Sequence, residues 1–367
     1  MDELRVMLEA GVVRGEWWHS LEDGRVQCDL CPRNCKLRDG QRGFCFVRQA
    51  RDGGMVLTSY GRNTGMAIDP IEKKPLNHFY PGSRVLSFGT AGCNLGCKFC
   101  QNWDISKARE MRRLSVEASP DQLADQAARL DCQSIAFTYN DPTIFAEYAI
   151  DSAQAAHAAG LSSVAVTAGY ITEQARPDFY RHMDAANVDL KGFTHRFYHE
   201  LCYGDLDPVL DTLSWLHNQS DTWFEITTLL IPGQNDSVEE IEREVDWILE
   251  NIGPDVPLHF TAFHPDFKMN DIPPTPIARI QRARQQAVQA GMHYVYTGNI
   301  LDEEGSSTYC PDCGQVVIGR IGYQITAWNL DVTGACSNCG AQIPGRFAPE
   351  GPPLLGWSPA QRRIIAR

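Results

Sequence analysis

The chain has 367 residues, 43% of them hydrophobic, and 46 acidic against 33 basic side chains leave a net charge of -13. This supports one sizeable core with small appendages and argues against general binding to a phosphate backbone. No apolar run approaches the roughly 20 residues of a membrane span, and the opening MDELRVMLEAGVVRGEWW lacks the basic and apolar regions of a secretion signal, so a cytoplasmic protein binding neither nucleic acid nor membrane is expected.

Of the 13 cysteines, 11 fall into three groups with metal-type spacing, which requires a reducing compartment. The first group, Cys28, Cys31, Cys35 and Cys45, lies in CDLCPRNC and GQRGFC, where Gly and Pro supply tight turns around a metal. Its CxxCxxxC start is close to the run that bacterial ferredoxins use for an iron-sulfur cube, yet small four-thiolate zinc loops tolerate irregular spacing. Zinc and a second cluster both stay open, with zinc preferred because it is common in small loops. This front piece is expected to be a Cys-rich metal-binding module over residues 1–81. Glu72, Lys73 and Lys74 near its end are candidates for touching a substrate, although charged side chains more often face solvent.

The second group lies in GTAGCNLGCKFCQN: Cys93, Cys97 and Cys100 supply three thiolates where a cube takes four. With 13 Cys in the chain, a chance CxxxCxxC is expected only ~0.016 times. No His between Ser87 and Gln133 is present to complete a zinc site. The iron left open can chelate a small molecule, and the amino and carboxylate groups of S-adenosylmethionine suit it, which turns an electron carrier into a radical generator. The basic stretch that follows, with Lys107, Arg109, Arg112 and Arg113, reads as a solvated linker face. Cys132 and Cys202, outside the groups, read as buried small hydrophobes.

From about residue 82 to 301, apolar runs alternate with helix signals, the pattern of parallel βα units. Six runs qualify as strands: 85–90, 135–140, 164–168, 188–191, 225–231 and 259–264, with 294–298 as a seventh candidate. Helix starts are marked at Ser119 with Pro120 and Gln122, at Ser237 with Glu240, and at Thr275 with Pro276, and stops at Gly160 and Gly291. Nearly every strand ends in a residue able to bind or react: Cys93, Asn140 with Asp141, Thr167, Asp189 with Lys191, Asn235 with Asp236, and His264. In a (β/α) barrel that rim is where sites are built. The fold expected is thus α/β, a partial (β/α)6 barrel over residues 82–301 with a lateral opening. The tail, residues 302–367, carries CPDC at Cys310 and Cys313 and CSNCG at Cys336 and Cys339, separated by the strand-like GQVVIGRIGYQITAWNL. That is close to the spacing of a zinc ribbon.

The cluster loop, TYNDPTIF, NVDLKGF, TTLLIPGQNDS and HFTAFHP together resemble the radical S-adenosylmethionine enzymes related to pyruvate formate-lyase activating enzyme. With IDPIEKKPLNHFYPGS and the tail from STYCP onward, the likeness narrows to the AmmeMemoRadiSam system radical enzymes and covers nearly the whole chain. The resemblance implies a 4Fe-4S cluster on Cys93, Cys97 and Cys100, with Phe99 near the adenine and Asn102 beside it. It implies that Tyr139, Asn140 and Asp141 hold the methionyl amino group, although relatives usually have Glu where this chain has Asp141. Thr167, Asp189 and Lys191 would face the cofactor's carboxylate and ribose, Gly233 and Asn235 the adenine side, and His264 the adenine. It also implies a 5′-deoxyadenosyl radical that abstracts hydrogen from a protein or small-molecule substrate, a reductant such as flavodoxin or ferredoxin, and partners like the Memo and AMMECR proteins. Two other readings stand beside it: an activase that places a radical on a glycine of a partner enzyme, and a non-catalytic electron-transfer or partner-binding protein. The latter needs a fourth cluster ligand, for which Cys132 or Cys202 is available.

Overall fold

The computed structural model describes residues 5–108, 116–352 and 364–366. Arg109, Arg112 and Arg113 of the basic stretch lie outside the described residues. The organising feature is a nine-stranded sheet. Its strands are β1 (Met66–Pro70), β2 (Arg84–Phe88), β3 (Ser134–Phe137), β4 (Ser162–Thr167), β5 (Ala185–Asp189), β6 (Trp223–Leu230), β7 (Leu258–Ala262), β8 (Val295–Gly298) and β9 (Ile364–Ala366). Strands β2 to β8 pair in parallel in chain order. The seventh candidate strand is therefore formed. Beyond β2 lie β1 and then β9, both added antiparallel. The result is a mixed α/β domain resembling a partial (β/α) barrel. β1 lies before the boundary expected at residue 81, yet is an integral strand of the main sheet.

The parallel strands are apolar on both faces because helices α1 (Pro120–Arg129), α2 (Ala146–Ala158), α3 (Arg176–Tyr180), α4 (Asp207–Gln219), α5 (Val238–Asn251) and α6 (Ile277–Ala290) alternate with them. The expected helix signals are realised with two differences. Ser119 and Gln122 form the reciprocal capping box. Ser237 caps the Glu240 N–H, but the Glu240 carboxylate accepts from Phe193 N at 2.8 Å instead of closing the box. Thr275 does not cap α6 either, because its hydroxyl accepts from Phe263 N and donates to Leu230 O, tying two strand ends together. Gly160 and Gly291 adopt the left-handed backbone that stops α2 and α6.

The front residues form two small sheets, one of Met7–Glu9, Val12–Arg14, Gly54–Leu57 and Arg48–Arg51, the other of Trp18–Ser20, Val26–Cys28 and Lys36–Leu37. Their apolar residues belong to the same core cluster as the barrel strands. A buried bidentate ion pair, Arg48 to Glu147 of α2 at 2.5 and 2.6 Å, joins the two. In the tail, Thr308–Tyr309, Val316–Ile321 and Gln324–Trp328 form an antiparallel sheet whose core includes Tyr294 and Tyr296 around β8.

The N-terminal end of the barrel is closed by the segment between β1 and β2. Ile71, Leu76 and Phe79 pack there with Val85, Ala136, Val164 and Ala185. The Glu225 carboxylate accepts from the N–H groups of Asn77 and His78 at 2.9 and 2.7 Å, and His259 pairs with it at 2.7 Å. Although burial opposes it, the bond from His259 holds Glu225 below the usual carboxylate range. The tail locks this floor from outside, through Arg320 donating to Asn77 O at 2.6 Å and His78 bonded to Pro344 O at 2.6 Å.

Candidate active site at the rim of the barrel

Three cysteines 93, 97 and 100 sit on the loop after β2, and many side-chain and backbone bonds hold that loop in place. Asn140 accepts from Thr90 N at 3.0 Å and donates to Gly92 O at 2.8 Å and to the Thr90 hydroxyl at 3.2 Å. Gly96 N and Lys98 N donate to the carbonyls of Cys202 and Leu201, each at 2.8 Å. Lys107 Nζ reaches Leu95 O at 2.8 Å, and Arg33, from the front residues, donates to the carbonyls of Asn94 and Tyr203. Two glycines make the approach feasible. A Cβ on Gly89 would collide with Thr138 O, and one on Gly92, which has φ +91°, with Cys45 O.

Cys93, Cys97, Phe99, Cys100 and Asn102 line a cavity of about 460 Å³. Its walls include Thr138 to Asp141, Thr167, Asp189 and Lys191 from the strand ends, with Thr227 and Leu229 of β6 and Thr261 of β7. Lys73 and Lys74 reach it from the floor segment, and Tyr323 from the tail hairpin. Gly233, Asn235 and His264 do not line it. Asn235 is buried and structural: it accepts from Ile231 N at 2.7 Å and donates to Lys191 O at 3.0 Å and Leu229 O at 2.9 Å, holding the β5 and β6 loops together. Gly233 occupies a left-handed turn closed by Asp236, and His264 is exposed.

The lysines of the cavity are paired with carboxylates. The Lys191 ammonium lies 2.6 Å from Asp189. Burial acts against its charge, but Asp189 and Cys97 hold it above its ordinary value. Asp141 points back into the protein, where its carboxylate accepts from Thr143 N at 2.9 Å, from Ala168 N at 2.8 Å and from the Thr167 hydroxyl. Burial raises its pKa nonetheless. Asp69 binds Lys73 and Lys74 at 2.7 and 2.8 Å, and Lys74 lies 5.3 Å from the centre of the Tyr139 ring. Lys74 is thus a buried cavity residue, against the surface expectation, because the carboxylate that neutralises it comes from β1, a strand with no obvious signal in the sequence. Glu72 faces away, accepting from Gly82 N beside Arg320.

The thiols differ. A hydrogen bond from Cys202 lowers Cys97 to about 7, with burial opposing and Lys191 and Lys107 assisting. Burial, with Asp141, pushes Cys93 up to about 12. Cys100 is raised by burial, although Ser106 Oγ lies 3.2 Å from its sulfur. Cys202 and Cys132 are both buried and neither lines the cavity, but Cys202 is hydrogen-bonded to Cys97. In the tail, Cys310, Cys313, Cys336 and Cys339 bring all four sulfurs within 4.8 Å of one another, a set that could hold one metal ion.

A family model described as the Radical SAM superfamily matches residues 88–248. Uncharacterized protein MJ0808 of Methanocaldococcus jannaschii is 39% identical over 328 residues, 89% of this chain and 97% of that one. Among solved structures, a domain of pyruvate-formate lyase-activating enzyme from Bacteroides vulgatus aligns with TM-score 0.41 and 15% identity over 45% of this chain and 99% of that one. A radical SAM methyltransferase from Sphaerobacter thermophilus aligns with TM-score 0.47 and 17% identity over 65% and 71%. No helix among the described residues is long and apolar enough to cross a membrane. With its three-cysteine loop set at the rim of an open barrel and matched by the family model, the chain belongs to the radical SAM superfamily, in one family with the Methanocaldococcus protein, and is a radical SAM enzyme.

Proposed function

We propose that Cys93, Cys97 and Cys100 hold a 4Fe-4S cluster whose open iron takes S-adenosylmethionine in the rim cavity. The observation that carries this reading is the convergence of the three thiols with Asp189, Lys191 and the 138–141 turn on one cavity of ligand size. Such a group, when bound, supplies one-electron cleavage to a 5′-deoxyadenosyl radical. Around it, the chain's own residues hold and orient. Asn140 and the carbonyls of Leu201 and Cys202 fix the loop, so the sulfurs need little reorganisation on loading. Backbone atoms of Tyr139 to Asp141 are offered to the methionyl end, since the Asn140 and Asp141 side chains are already engaged. The Asp189–Lys191 pair presents one donor and one acceptor to the ribose and carboxylate. The floor, with Asp69, Lys73, Lys74 and Tyr139, favours a polar substrate over a hydrocarbon. We place zinc on the four tail cysteines. The motifs shared with AmmeMemoRadiSam system enzymes favour that narrower assignment, with flavodoxin or ferredoxin as reductant and Memo-like and AMMECR-like partners.

The test is anoxic incubation of the reconstituted protein with S-adenosylmethionine and dithionite, with 5′-deoxyadenosine quantified. Production by the native chain and its loss in Cys97→Ala is the expected result. A full, reducible cluster that makes none would sink the reading.

A further inference from the structure

We infer that Cys28, Cys31, Cys35 and Cys45 hold a second iron-sulfur cluster of the 4Fe-4S type, and that the chain therefore carries two cubes and one zinc. The inference stands on sulfur spacing and on the groups that line the site between the sulfurs, independently of the reading of the rim cavity. One zinc ion with thiolates about 2.3 Å away draws four sulfurs to roughly 3.8 Å from one another. A cube separates them to roughly 6 Å, because each thiolate takes a different iron. The tail shows the first geometry: Cys310 and Cys339 lie 3.5 Å apart, Cys313 and Cys336 3.8 Å apart, and all four sulfurs are within 4.8 Å. Among the described residues, neither the front four nor the three cysteines of the rim loop form such a set. In both sets no three sulfurs lie within 4.8 Å of one another.

The front sulfurs also surround a cavity. All four cysteines line it, with Leu30, Phe44 and Ile144 as apolar walls. Arg33 and Arg48 line the same cavity. Arg48 is 1% exposed, and while its terminal nitrogens bind Glu147 and Glu16 O, its Nε is buried without a partner. A buried donor beside four thiolates suits an anionic occupant with sulfur acceptors. With four protein ligands, this cube has no open iron for S-adenosylmethionine. It adjoins the rim loop directly, since Gly92 packs on Cys45 O and Arg33 binds Asn94 O.

The test uses the full chain, reconstituted anaerobically with iron and sulfide, and the variant Cys93→Ala/Cys97→Ala/Cys100→Ala. The variant should keep about four iron and about four sulfide per chain and, after dithionite, show an electron paramagnetic resonance signal unchanged by S-adenosylmethionine. The native chain should hold about eight iron and one zinc. An iron-free variant carrying two zinc ions overturns the inference. So does a native chain with about four iron and two zinc, a count that remains available if the variant does not fold. Equal iron, about four per chain in native protein and variant, would uphold the front cluster while showing the rim loop empty, which separates failure of the proposed function from failure of this inference.

Discussion

Asn140 bonds Thr90 and Gly92 through both ends of its amide, so its loss strands a buried N–H and a buried carbonyl. Asn140→Ala should lose about 1–3 kcal/mol of folding stability and retain less iron after reconstitution, read by urea unfolding and an iron assay. Glycine position matters in the same way. Gly92→Ala meets the Cys45 carbonyl at φ +91° and should abolish cluster loading, while Gly160→Ala, at φ +73° in open space, should cost only about 1 kcal/mol. The three cysteines of the rim loop stood out in the sequence because metals dictate thiolate spacing, and all three line one cavity. Asn140 and Asp141 were legible as strand-end residues, but not that their side chains turn inward, since a polar residue at a rim reads the same whether it binds a ligand or a neighbouring loop. Lys74 was not legible as a cavity residue because its partner, Asp69, lies on a strand the sequence hides.

At the level of elements, the parallel strands could be read because burial on both faces makes them apolar runs. β1 could not, since MAIDP is short and is followed by the charged IEKK, which reads as a turn until Asp69, Lys73 and Lys74 are brought together. α5 carries a comparable surprise. Glu244 is buried against β6, bonded to the Thr228 hydroxyl, and burial pushes its carboxyl up to about 8 from an ordinary 4.5. The folded state holds this proton more tightly than the unfolded chain, so stability should be highest below about pH 4.5 as far as this group is concerned. It should fall by about 1.4 kcal/mol per pH unit up to about pH 8. Glu244→Gln should remove that slope and raise stability at pH 8, measured by denaturant unfolding across pH.

At the scale of the molecule, three groups of cysteines stand out in the sequence, but the contacts that join front, barrel and tail residues were not legible, because such pairs leave no local pattern. The Arg48–Glu147 pair has side chains 2% and 0% exposed, and Glu147→Ala would leave a buried guanidinium alone. A loss of about 3–5 kcal/mol in unfolding free energy is expected, together with weaker retention of metal at the front cysteines, read by urea titration and metal analysis. A chelator that strips the zinc proposed for the tail cysteines should release one ion per chain and make the 71–80 segment more susceptible to hydrogen exchange, because Arg320 and Pro344 both clamp it.

The bonds that seal the barrel floor span 243 and 266 residues of sequence. On the ribosome, the floor segment and β2 emerge long before the residues that lock them, so a nascent chain can assemble its strands but not its finished base until the tail leaves the exit tunnel. Residues made long after the floor segment decide when the rim cavity stands on a finished base.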